Sequence, residues 1–508
     1  SRLPFTNNTI VDVDYARYRG VAMENGVTEW LGLRFAAPPL GDKRFARPKD
    51  PLPENEVTEA QSFGPFCLGT NEGPPTLEMD EDCLFLNVFV PSSASAQSRL
   101  PVFFYIQGGG FNSNGQANYN GSGLIHAAEM DMVVVNFNYR VGPYGFLAGK
   151  EVRSSNNGLF DQRKALQWTQ QYISRFGGDP TRVTIAGASA GAQSVDLHIL
   201  AFNGRNDHLF HAAASISPSY PPIRTIAENQ FAYDNLVIRT GCALWHDTLD
   251  CLRRLTATEL QAYNYPTTFP SAQSPPFAMY GPTLDGDLIR RPTVAAYRAG
   301  HFISVPRLIG TSTDEGSVFL ARNVSLGVGH TFLRSQFPSL APRLIRLLAP
   351  NQPSASALYG ALRYACPSQL VALLSARDAH TWLFRWNAQD ARTVDRGLGT
   401  PHAQATQAVW GPENTRGEAP ESFYRGGDNA ALVAATQAYW TAFVRWGQPG
   451  RGTRGDLPEW EKLQTGRAAR TRRMKFQGEG QGVEMEAVST EDQRHCEALT
   501  DAAGVLGQ

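Results

Sequence analysis

The chain has 508 residues, which is enough for one large domain or for two to three ordinary ones. Its formal net charge of −1 and its pI near 6.8 give no electrostatic field for capturing nucleic acid or an anionic membrane. No apolar run approaches the roughly 18 residues of a membrane span. Since no repeat, charge block or composition shift marks a boundary, the sequence predicts one domain over residues 1–508, with insertions around 220–300 and 320–380.

Short apolar runs bounded by turn residues predict strands that are buried on both faces of a sheet. In chain order these runs are residues 101–106, 132–137, 183–186, 212–216, 305–309 and 381–386. Helical patterns lie between them at 161–175, 192–200 and 429–446. Alternating strands and helices predict an α/β fold with a large, mostly parallel central sheet flanked by helices. The Pro- and Tyr-rich stretch 220–292 interrupts this alternation, and it is interpreted as an insertion near a substrate.

The predicted strand 183–186 is followed directly by Gly187-Ala-Ser189-Ala-Gly191. A strand, then Gly-x-Ser-x-Gly, then a helix is the nucleophile elbow of an α/β-hydrolase. A sharp turn holds the serine in a strained conformation, so its neighbours two positions away must be nearly free of side chain. The motif also arises by chance in a chain with 47 glycines, but its position between a strand and a helix favours a catalytic Ser189.

A serine nucleophile needs a base, and the base needs an orienting acid, in the chain order Ser, Asp or Glu, His. The turn after the run 305–309 contains Asp314-Glu315-Gly316, and the loop after 381–386 contains His402. Upstream, Gly108-Gly109-Gly110 follows the run 101–106, where glycine amides can approach a ligand oxygen closely and form an oxyanion hole. The alternatives are a structural histidine and a flexible glycine turn.

Several features bear on the compartment and on bound groups. Spacing alone allows 15 pairings of the six cysteines, although the short loops favour Cys67–Cys83 and Cys242–Cys251, which leaves Cys366 and Cys496; six reduced thiols are the alternative. The first residue is serine rather than methionine, which suits a processed secretory protein that has lost a signal peptide. The glycosylation sequons are at Asn7, Asn120 and Asn323. No Cys/His cluster has zinc-ligand spacing, so no metal site is expected.

These motifs together make the chain resemble the type-B carboxylesterase family, which contains cholinesterases, carboxylesterases and secreted fungal lipases and sterol esterases. The resemblance covers nearly the whole chain. Besides the elbow, the acidic turn and the His402 loop, it rests on Pro38-Pro-Leu-Gly41, Glu81-Asp-Cys-Leu-Phe-Leu-Asn87, Gln107-Gly-Gly-Gly-Phe111, Asn138-Tyr-Arg-Val-Gly142 and Phe176-Gly-Gly-Asp-Pro180. It implies an α/β-hydrolase fold that needs no cofactor.

The resemblance assigns a role to each site residue. Ser189 is the nucleophile, Glu315 rather than Asp314 is the acid, and His402 is the base. The implied oxyanion donors are the amides of Gly109, Gly110 and Ala190. The implied disulfides are Cys67–Cys83, Cys242–Cys251 and Cys366–Cys496, and the implied structural ion pairs are Arg44–Glu81 and Arg140–Asp161.

Two positions depart from the family pattern. Gln107 stands where many members have His or Tyr, and Ala188 stands where many have Glu. The loss of the elbow carboxylate removes a negative charge beside the histidine, which is expected to change the preference for cationic substrates. The segment 68–82 between Cys67 and Cys83 is short, acidic, interrupted by Gly73-Pro74-Pro75 and free of aromatic residues, so it is not expected to form an amphipathic lid.

The sequence therefore predicts a secreted, extracellular serine carboxylesterase of the fungal type that acts on a small-molecule ester through an acyl-enzyme, as a monomer or homodimer. A lipase or sterol esterase is one alternative, and an enzyme that transfers or cyclises an acyl group with the same triad is another. A non-catalytic adhesion protein of this fold is disfavoured because all three triad residues are present.

Overall fold

The computed structural model describes residues 9–114, 118–270, 272–348, 352–453, 456–466, 470–478 and 480–508. The strands are β1 (Ile10–Asp12), β2 (Arg17–Arg19), β3 (Val21–Ala22), β4 (Val27–Arg34), β5 (Val57–Glu59), β6 (Phe66–Cys67), β7 (Met79–Asp80), β8 (Phe85–Pro91), β9 (Leu100–Ile106), β10 (Val133–Phe137), β11 (Gly178–Ala188), β12 (Ala212–Ile216), β13 (Arg224–Thr225), β14 (Thr283–Leu284), β15 (Arg307–Ser312), β16 (Thr381–Asn387), β17 (Arg472–Gln477) and β18 (Gly482–Ala487).

The helices follow the same chain order. They are α1 (Ser122–Ala127), α2 (Gly142–Phe146), α3 (Asn157–Tyr172), α4 (Ala190–Gly204), α5 (Ile226–Arg239), α6 (Thr248–Arg254), α7 (Ala257–Gln261), α8 (Thr293–Arg298), α9 (Leu326–Gln336), α10 (Pro342–Leu348), α11 (Ala355–Gly360), α12 (Cys366–Ser375), α13 (Ala391–Asp395), α14 (Ala405–Trp410), α15 (Ala430–Trp446), α16 (Thr490–Asp501) and α17 (Ala503–Leu506).

The described strands form a central sheet in the order β18-β17-β16-β15-β12-β11-β9-β10-β8-β4-β3. The seven neighbouring strands from β17 to β10 are parallel to one another. The strands at both ends of the sheet pair antiparallel. This arrangement confirms the predicted α/β-hydrolase fold with its mostly parallel central sheet, while the single-domain organisation stays a prediction.

The apolar runs form buried strands because the sheet is covered on both faces. Along β9, Val102, Phe104 and Ile106 belong to one hydrophobic cluster, and Phe103 and Tyr105 belong to a second cluster. Successive side chains of a strand point to opposite faces, so each face has its own core. A continuous apolar run is therefore the pattern that this position in the sheet requires.

The observed element bounds differ from the predicted ones for identifiable reasons. The run 305–309 becomes β15 only from Arg307, because Pro306 has no N–H to donate to the strand ladder. The predicted helix 192–200 is α4, whose backbone leaves the helical conformation at Ala201. The helix pattern 429–446 is α15, which ends at Gly447 with a φ of 67°.

The regular elements of the two predicted insertions are mainly helices. Residues 220–300 contain α5 to α8 and the short parallel pair β13–β14. Residues 320–380 contain α9 to α12, which pack with α16 and α17 around a third hydrophobic cluster. These insertions supply most of the residues around the candidate site.

Disulfides and buried ion pairs fix distant segments to this framework. The six cysteines pair as predicted, in Cys67–Cys83, Cys242–Cys251 and Cys366–Cys496. The expected buried ion pairs are present as well, in Arg44–Glu81 at 2.5 Å and Arg140–Asp161 at 2.7 Å. The last disulfide, with a sequence separation of 130, connects α12 to α16.

Candidate active site

Ser189 lies at the turn between β11 and α4, with a φ of 56° and a ψ of −121°. This positive φ is strained for a residue with a side chain. A Cβ on Gly187 would collide with the backbone of Gly191, and a Cβ on Gly191 would collide with the backbone carbonyl of Ile106. The two glycines of the motif are therefore required by the close packing of the turn.

The side chains of Ser189, Glu315 and His402 meet at the ends of parallel strands. The Nε2 atom of His402 is 2.7 Å from the hydroxyl oxygen of Ser189. The Nδ1 atom of the same ring forms a short contact with the Oε2 atom of Glu315. The side chain of Glu315 is 1% exposed and that of His402 is 8% exposed, so water is largely excluded from this chain of contacts.

Backbone amides hold both the acid and the base in place. The other carboxylate oxygen of Glu315, Oε1, accepts a hydrogen bond from the Ser312 N–H at 2.6 Å. Asp314 does not contact the histidine; it accepts a hydrogen bond from the Thr400 N–H at 2.9 Å and forms an ion pair with Arg322 at 3.2 Å. Asp314 thus anchors the loop that carries His402.

Two aromatic rings pack on the imidazole of His402. The centroid of the Tyr364 ring is 4.5 Å from that of His402, and the centroid of Phe319 is 5.3 Å away. Burial raises the pKa of Tyr364 well above its usual value, so its hydroxyl stays protonated. These rings restrict the imidazole to the orientation that the hydrogen bonds select.

The glycine run lies directly against the elbow. A Cβ on Gly108 would be 3.1 Å from the Cβ of Ser189. Gly109 and Gly110 have φ values of 106° and 62°, a region that favours glycine. Within the described part of the chain, no residue accepts a hydrogen bond from the amides of Gly109, Gly110 or Ala190. Their N–H groups thus remain available to a ligand oxygen, while their role as donors stays a prediction.

A cavity of about 580 Å³, here called the Ser189 cavity, opens beside the nucleophile position. Gly110, Ala190 and Tyr364 line it together with Ser189. Apolar side chains form much of its wall, and these are Ile223, Phe231, Phe269, Phe277 and Leu506. Four of these five apolar residues come from the insertion 220–300, and Leu506 comes from α17.

The segment 68–82 lies away from this cavity. Among the residues described by the model, none between 67 and 83 lines the cavity wall. Asn71 donates its N–H to the carbonyl of Asn264, and Gln261 donates to the carbonyl of Gly69, which holds the segment against the end of α7. Gln107 and Ala188, the two departures from the family pattern, are both buried.

Other predicted features fall outside the site. Asn7 lies outside the described residues, Asn120 is partly buried and Asn323 is exposed. In the described ranges, no three His, Cys, Asp or Glu side chains are grouped so as to hold a metal ion. Nor does any described helix have the length and apolar character needed to cross a membrane.

The match to a family of known proteins decides the classification. Residues 7–337 match the model of the carboxylesterase family. The chain belongs to the carboxylesterase family. The family expected from the motifs is thus confirmed, and it is a family of enzymes that hydrolyse carboxylic esters.

Three similar proteins illustrate this membership of the carboxylesterase family. The crystal structure of EstA from Aspergillus niger superposes with a TM-score of 0.93 and 37% sequence identity. The match includes 98% of this chain and 99% of the EstA chain. Fumonisin B1 esterase from Sphingopyxis macrogoltabida is 32% identical over 87% of this chain and 83% of its own length. Lipase 1 from Geotrichum candidum is 34% identical over 58% of this chain, and the match spans only 61% of the lipase.

Sequence reasoning missed the residues that surround the catalytic candidates. Tyr364 and Phe319 on the His402 ring, and the Ser312 amide on Glu315, carry no recognisable motif. Arg224 and Arg363, which line the Ser189 cavity, were missed as well. For Arg224, Arg363 and Tyr364, the only available signal was their position inside the two predicted insertions. Ser312 and Phe319 lie outside both insertions.

Proposed function

We propose that this carboxylesterase-family protein is a serine carboxylesterase with the triad Ser189, Glu315 and His402. The observation that carries the proposal is the 2.7 Å separation between Nε2 of His402 and the hydroxyl oxygen of Ser189, with Nδ1 facing Glu315. This is the geometry in which an imidazole accepts a serine proton while a carboxylate stabilises the resulting positive charge. The Ser312 N–H, which donates to the other carboxylate oxygen of Glu315, supports this orientation of the acid.

In the proposed reaction, the Ser189 oxygen attacks the ester carbonyl while His402 takes its proton. The tetrahedral oxyanion forms beside the glycine run, where the amides of Gly109, Gly110 and Ala190 are proposed to stabilise it. His402 then protonates the leaving alcohol, and the acyl group remains on Ser189. Water, deprotonated by the same imidazole, releases the acid and restores the serine.

We expect dissolved esters with short to medium acyl chains to be preferred over emulsified lipids. The support is the position of segment 68–82, which packs against the end of α7 and does not line the Ser189 cavity. Leu77, a large apolar residue of this segment, is fully exposed rather than packed over the cavity. The lipase alternative needs an amphipathic lid over the cavity, which would move aside when its apolar face binds an oil surface.

The compartment and assembly remain proposals of the same kind. Three disulfides are typical of proteins that fold in an oxidising compartment, so we propose that the protein is secreted. The exposed side chain of Asn323 makes this sequon more accessible for glycosylation than Asn120, which is partly buried. A monomer or homodimer is expected, and no cofactor is needed for the proposed chemistry.

The test is covalent labelling combined with a variant. A fluorophosphonate should attach to one serine of the protein, and peptide mass spectrometry should place the adduct on Ser189. Ser189→Ala should remove hydrolysis of 4-nitrophenyl butyrate, while the exposed Ser95→Ala, a change of the same kind, should keep it. An adduct on another serine, or substantial turnover by Ser189→Ala, would refute the assignment.

A further inference from the structure

The Ser189 cavity contains two arginines that the proposed chemistry does not use. Arg363 lies in the single π-helical turn Ala361–Ala365 between α11 and α12, and Arg224 begins β13. Arg363 is only 5% exposed, and both side chains line the cavity together with Ser189. Tyr364, which packs on the His402 ring, follows Arg363 directly in sequence. The two positive charges therefore belong to the same cavity as the reacting groups.

The guanidinium of Arg363 is not paired with any acid in the described structure. Its Nε donates a hydrogen bond to the Ser219 hydroxyl at 2.8 Å. Its two Nη atoms donate to no described residue, and its weak ring contacts are with Tyr359 and Tyr364 at about 6 Å. An arginine presents five N–H donors, so most of the donors of this side chain are available to a ligand.

The other buried arginines of the described structure all form ion pairs. Besides Arg363, four arginines are buried among the described residues, and each forms an ion pair with a carboxylate: Arg44 with Glu81, Arg140 with Asp161, Arg163 with Asp207 and Arg307 with Asp196. A buried charge without a partner is costly. Arg363 is the exception in this set, and it lines the Ser189 cavity.

Arg224 is similarly short of a negative partner. Its strongest hydrogen bond goes to the carbonyl of Met279 at 3.1 Å, and its guanidinium lies 4.1 Å from the centroid of the Phe269 ring. Burial lowers the pKa of Arg224 to about 10, so the side chain is still charged at neutral pH. No described carboxylate lies within ion-pair distance of it.

The one carboxylate described near the two arginines offsets only part of their charge: the charge of Glu228 raises the pKa of Arg224, but burial lowers that pKa by more. Glu228 is the one carboxylate among the described lining residues, and it accepts hydrogen bonds from the N–H and the hydroxyl of Thr225 at the start of α5. At the elbow, Ala188 stands where many family members carry a glutamate. A carboxylate at that position would repel an anion next to the nucleophile, and here it is absent.

We propose that the Ser189 cavity selects esters that carry a free carboxylate, which Arg363 binds through its Nη donors with the support of Arg224. A planar guanidinium binds a carboxylate through two parallel N–H···O bonds, and this pairing is stronger than a neutral hydrogen bond. The other buried arginines of the described structure each form an ion pair with a carboxylate of the protein. For Arg363, the carboxylate of the substrate would take that place. The proposal rests on the proposed esterase function and specifies its substrate class.

The test compares matched pairs of esters in the intact enzyme. For the acyl side, the pair is mono-4-nitrophenyl adipate and 4-nitrophenyl hexanoate, which have acyl chains of equal length. For the alcohol side, the pair is carboxymethyl hexanoate and ethyl hexanoate, followed by titration of the released acid. The measured quantity is the ratio of kcat/KM for the anionic ester to that for the neutral ester, and the pair with the higher ratio tells which part of the substrate carries the anion.

Arg363→Gln should lower this ratio by about ten- to a hundredfold, because it removes one member of a desolvated ion pair. Arg224→Gln should lower it less, and Arg363→Lys should keep part of the preference. The exposed Arg451→Gln removes the same charge away from the cavity and should leave the ratio unchanged. Raising the ionic strength should raise the KM of the anionic ester in the wild type more than in Arg363→Gln.

The outcomes separate this inference from the proposed function. If the enzyme hydrolyses the neutral esters with a Ser189-dependent rate but the ratio is the same in wild type, Arg363→Gln and Arg224→Gln, the anion subsite is refuted alone. If Ser189 is not labelled and no ester is hydrolysed, the proposed function fails. If Arg363→Gln does not fold, as judged by its melting temperature, Arg224→Gln and Arg363→Lys still decide the matter through the same ratio.

Discussion

Replacing Glu315 by glutamine is the sharpest test of the triad, because the structure gives this carboxylate two donors at once. Oε1 accepts the Ser312 N–H at 2.6 Å, and Oε2 faces Nδ1 of His402. A glutamine amide has one oxygen and one NH₂ group, so it can accept from only one of these two donors. The change keeps the size of the side chain and removes one acceptor and one charge.

Either orientation of the amide damages the base. If the glutamine oxygen faces Ser312, its NH₂ group faces Nδ1 of His402, and the ring hydrogen moves to Nε2. That hydrogen then points at the Ser189 oxygen 2.7 Å away, so the imidazole cannot accept the serine proton. If the oxygen faces His402 instead, two donors meet at the Ser312 amide, which costs about 1–3 kcal/mol, and the charge that stabilises the imidazolium is still lost.

We therefore expect Glu315→Gln to lower kcat about 10³- to 10⁴-fold, the size found when a triad acid becomes its amide. At about 1.4 kcal/mol per tenfold change, this is roughly 4–5.5 kcal/mol of lost transition-state stabilisation. The KM is expected to change little, because Glu315 is buried behind the histidine.

The assay is hydrolysis of 4-nitrophenyl butyrate, with Asp314→Asn as the matched control. Asparagine can still accept the Thr400 N–H through its oxygen, so the control should lose less than about tenfold in kcat. Melting temperatures of both variants check that each one is folded. A loss below tenfold in Glu315→Gln, or a larger loss in Asp314→Asn, would show that the acid is wrongly assigned.

Three further outcomes are expected. Breaking Cys366–Cys496 with paired serines should destabilise the protein more than breaking Cys242–Cys251, roughly 5 against 2.5 kcal/mol by loop entropy for separations of 130 and 9 residues, as measured by denaturant unfolding. Activity on a short-chain ester should follow simple saturation through its solubility limit, and a sharp rise in emulsion would favour the lipase alternative. Burial lowers the pKa of His198 to about 3, below the value of about 6.5 in the unfolded chain. The unfolded state then binds the extra proton, so stability falls by about 1.4 kcal/mol per unit as the pH drops from 6.5 towards 3. Between pH 7 and pH 4.5, the melting temperature of His198→Gln should therefore fall less than that of the wild type. An equal fall in both proteins would contradict this.

The sheet was largely predictable because each central strand is buried on both faces. The runs that became β9, β10 and β12 are continuous apolar segments between turn residues, so local composition was sufficient to locate them. The edge strands were not predicted. β17 and β18 contain charged residues, including Lys475 and Glu484, which form an ion pair at 2.5 Å across the two strands. Such a pattern is equally typical of a solvated loop.

The nucleophile position was predictable for a different reason. The turn holds Ser189 at a φ of 56° and packs Gly187 against Gly191. Few other sequences fit this geometry, so a short local motif is sufficient to predict it. Glu315 and His402 required the resemblance to a family, because a single acid or histidine in a loop has no local signature. Their approach across 87 positions of sequence is a property of the parallel strands that end side by side.

The sequence by itself thus determined where the buried central strands lie and where the elbow with its glycines lies. Continuous burial and backbone strain both restrict the residue types that neighbouring positions can have. Only the tertiary structure decided what surrounds Ser189. Arg363 and Arg224 come from two different insertions and lie more than a hundred positions apart in sequence. Their lack of ion-pair partners depends on every side chain that packs near them. Whether a buried charge is paired depends on contacts between residues that are distant in sequence, so no local sequence pattern can predict it.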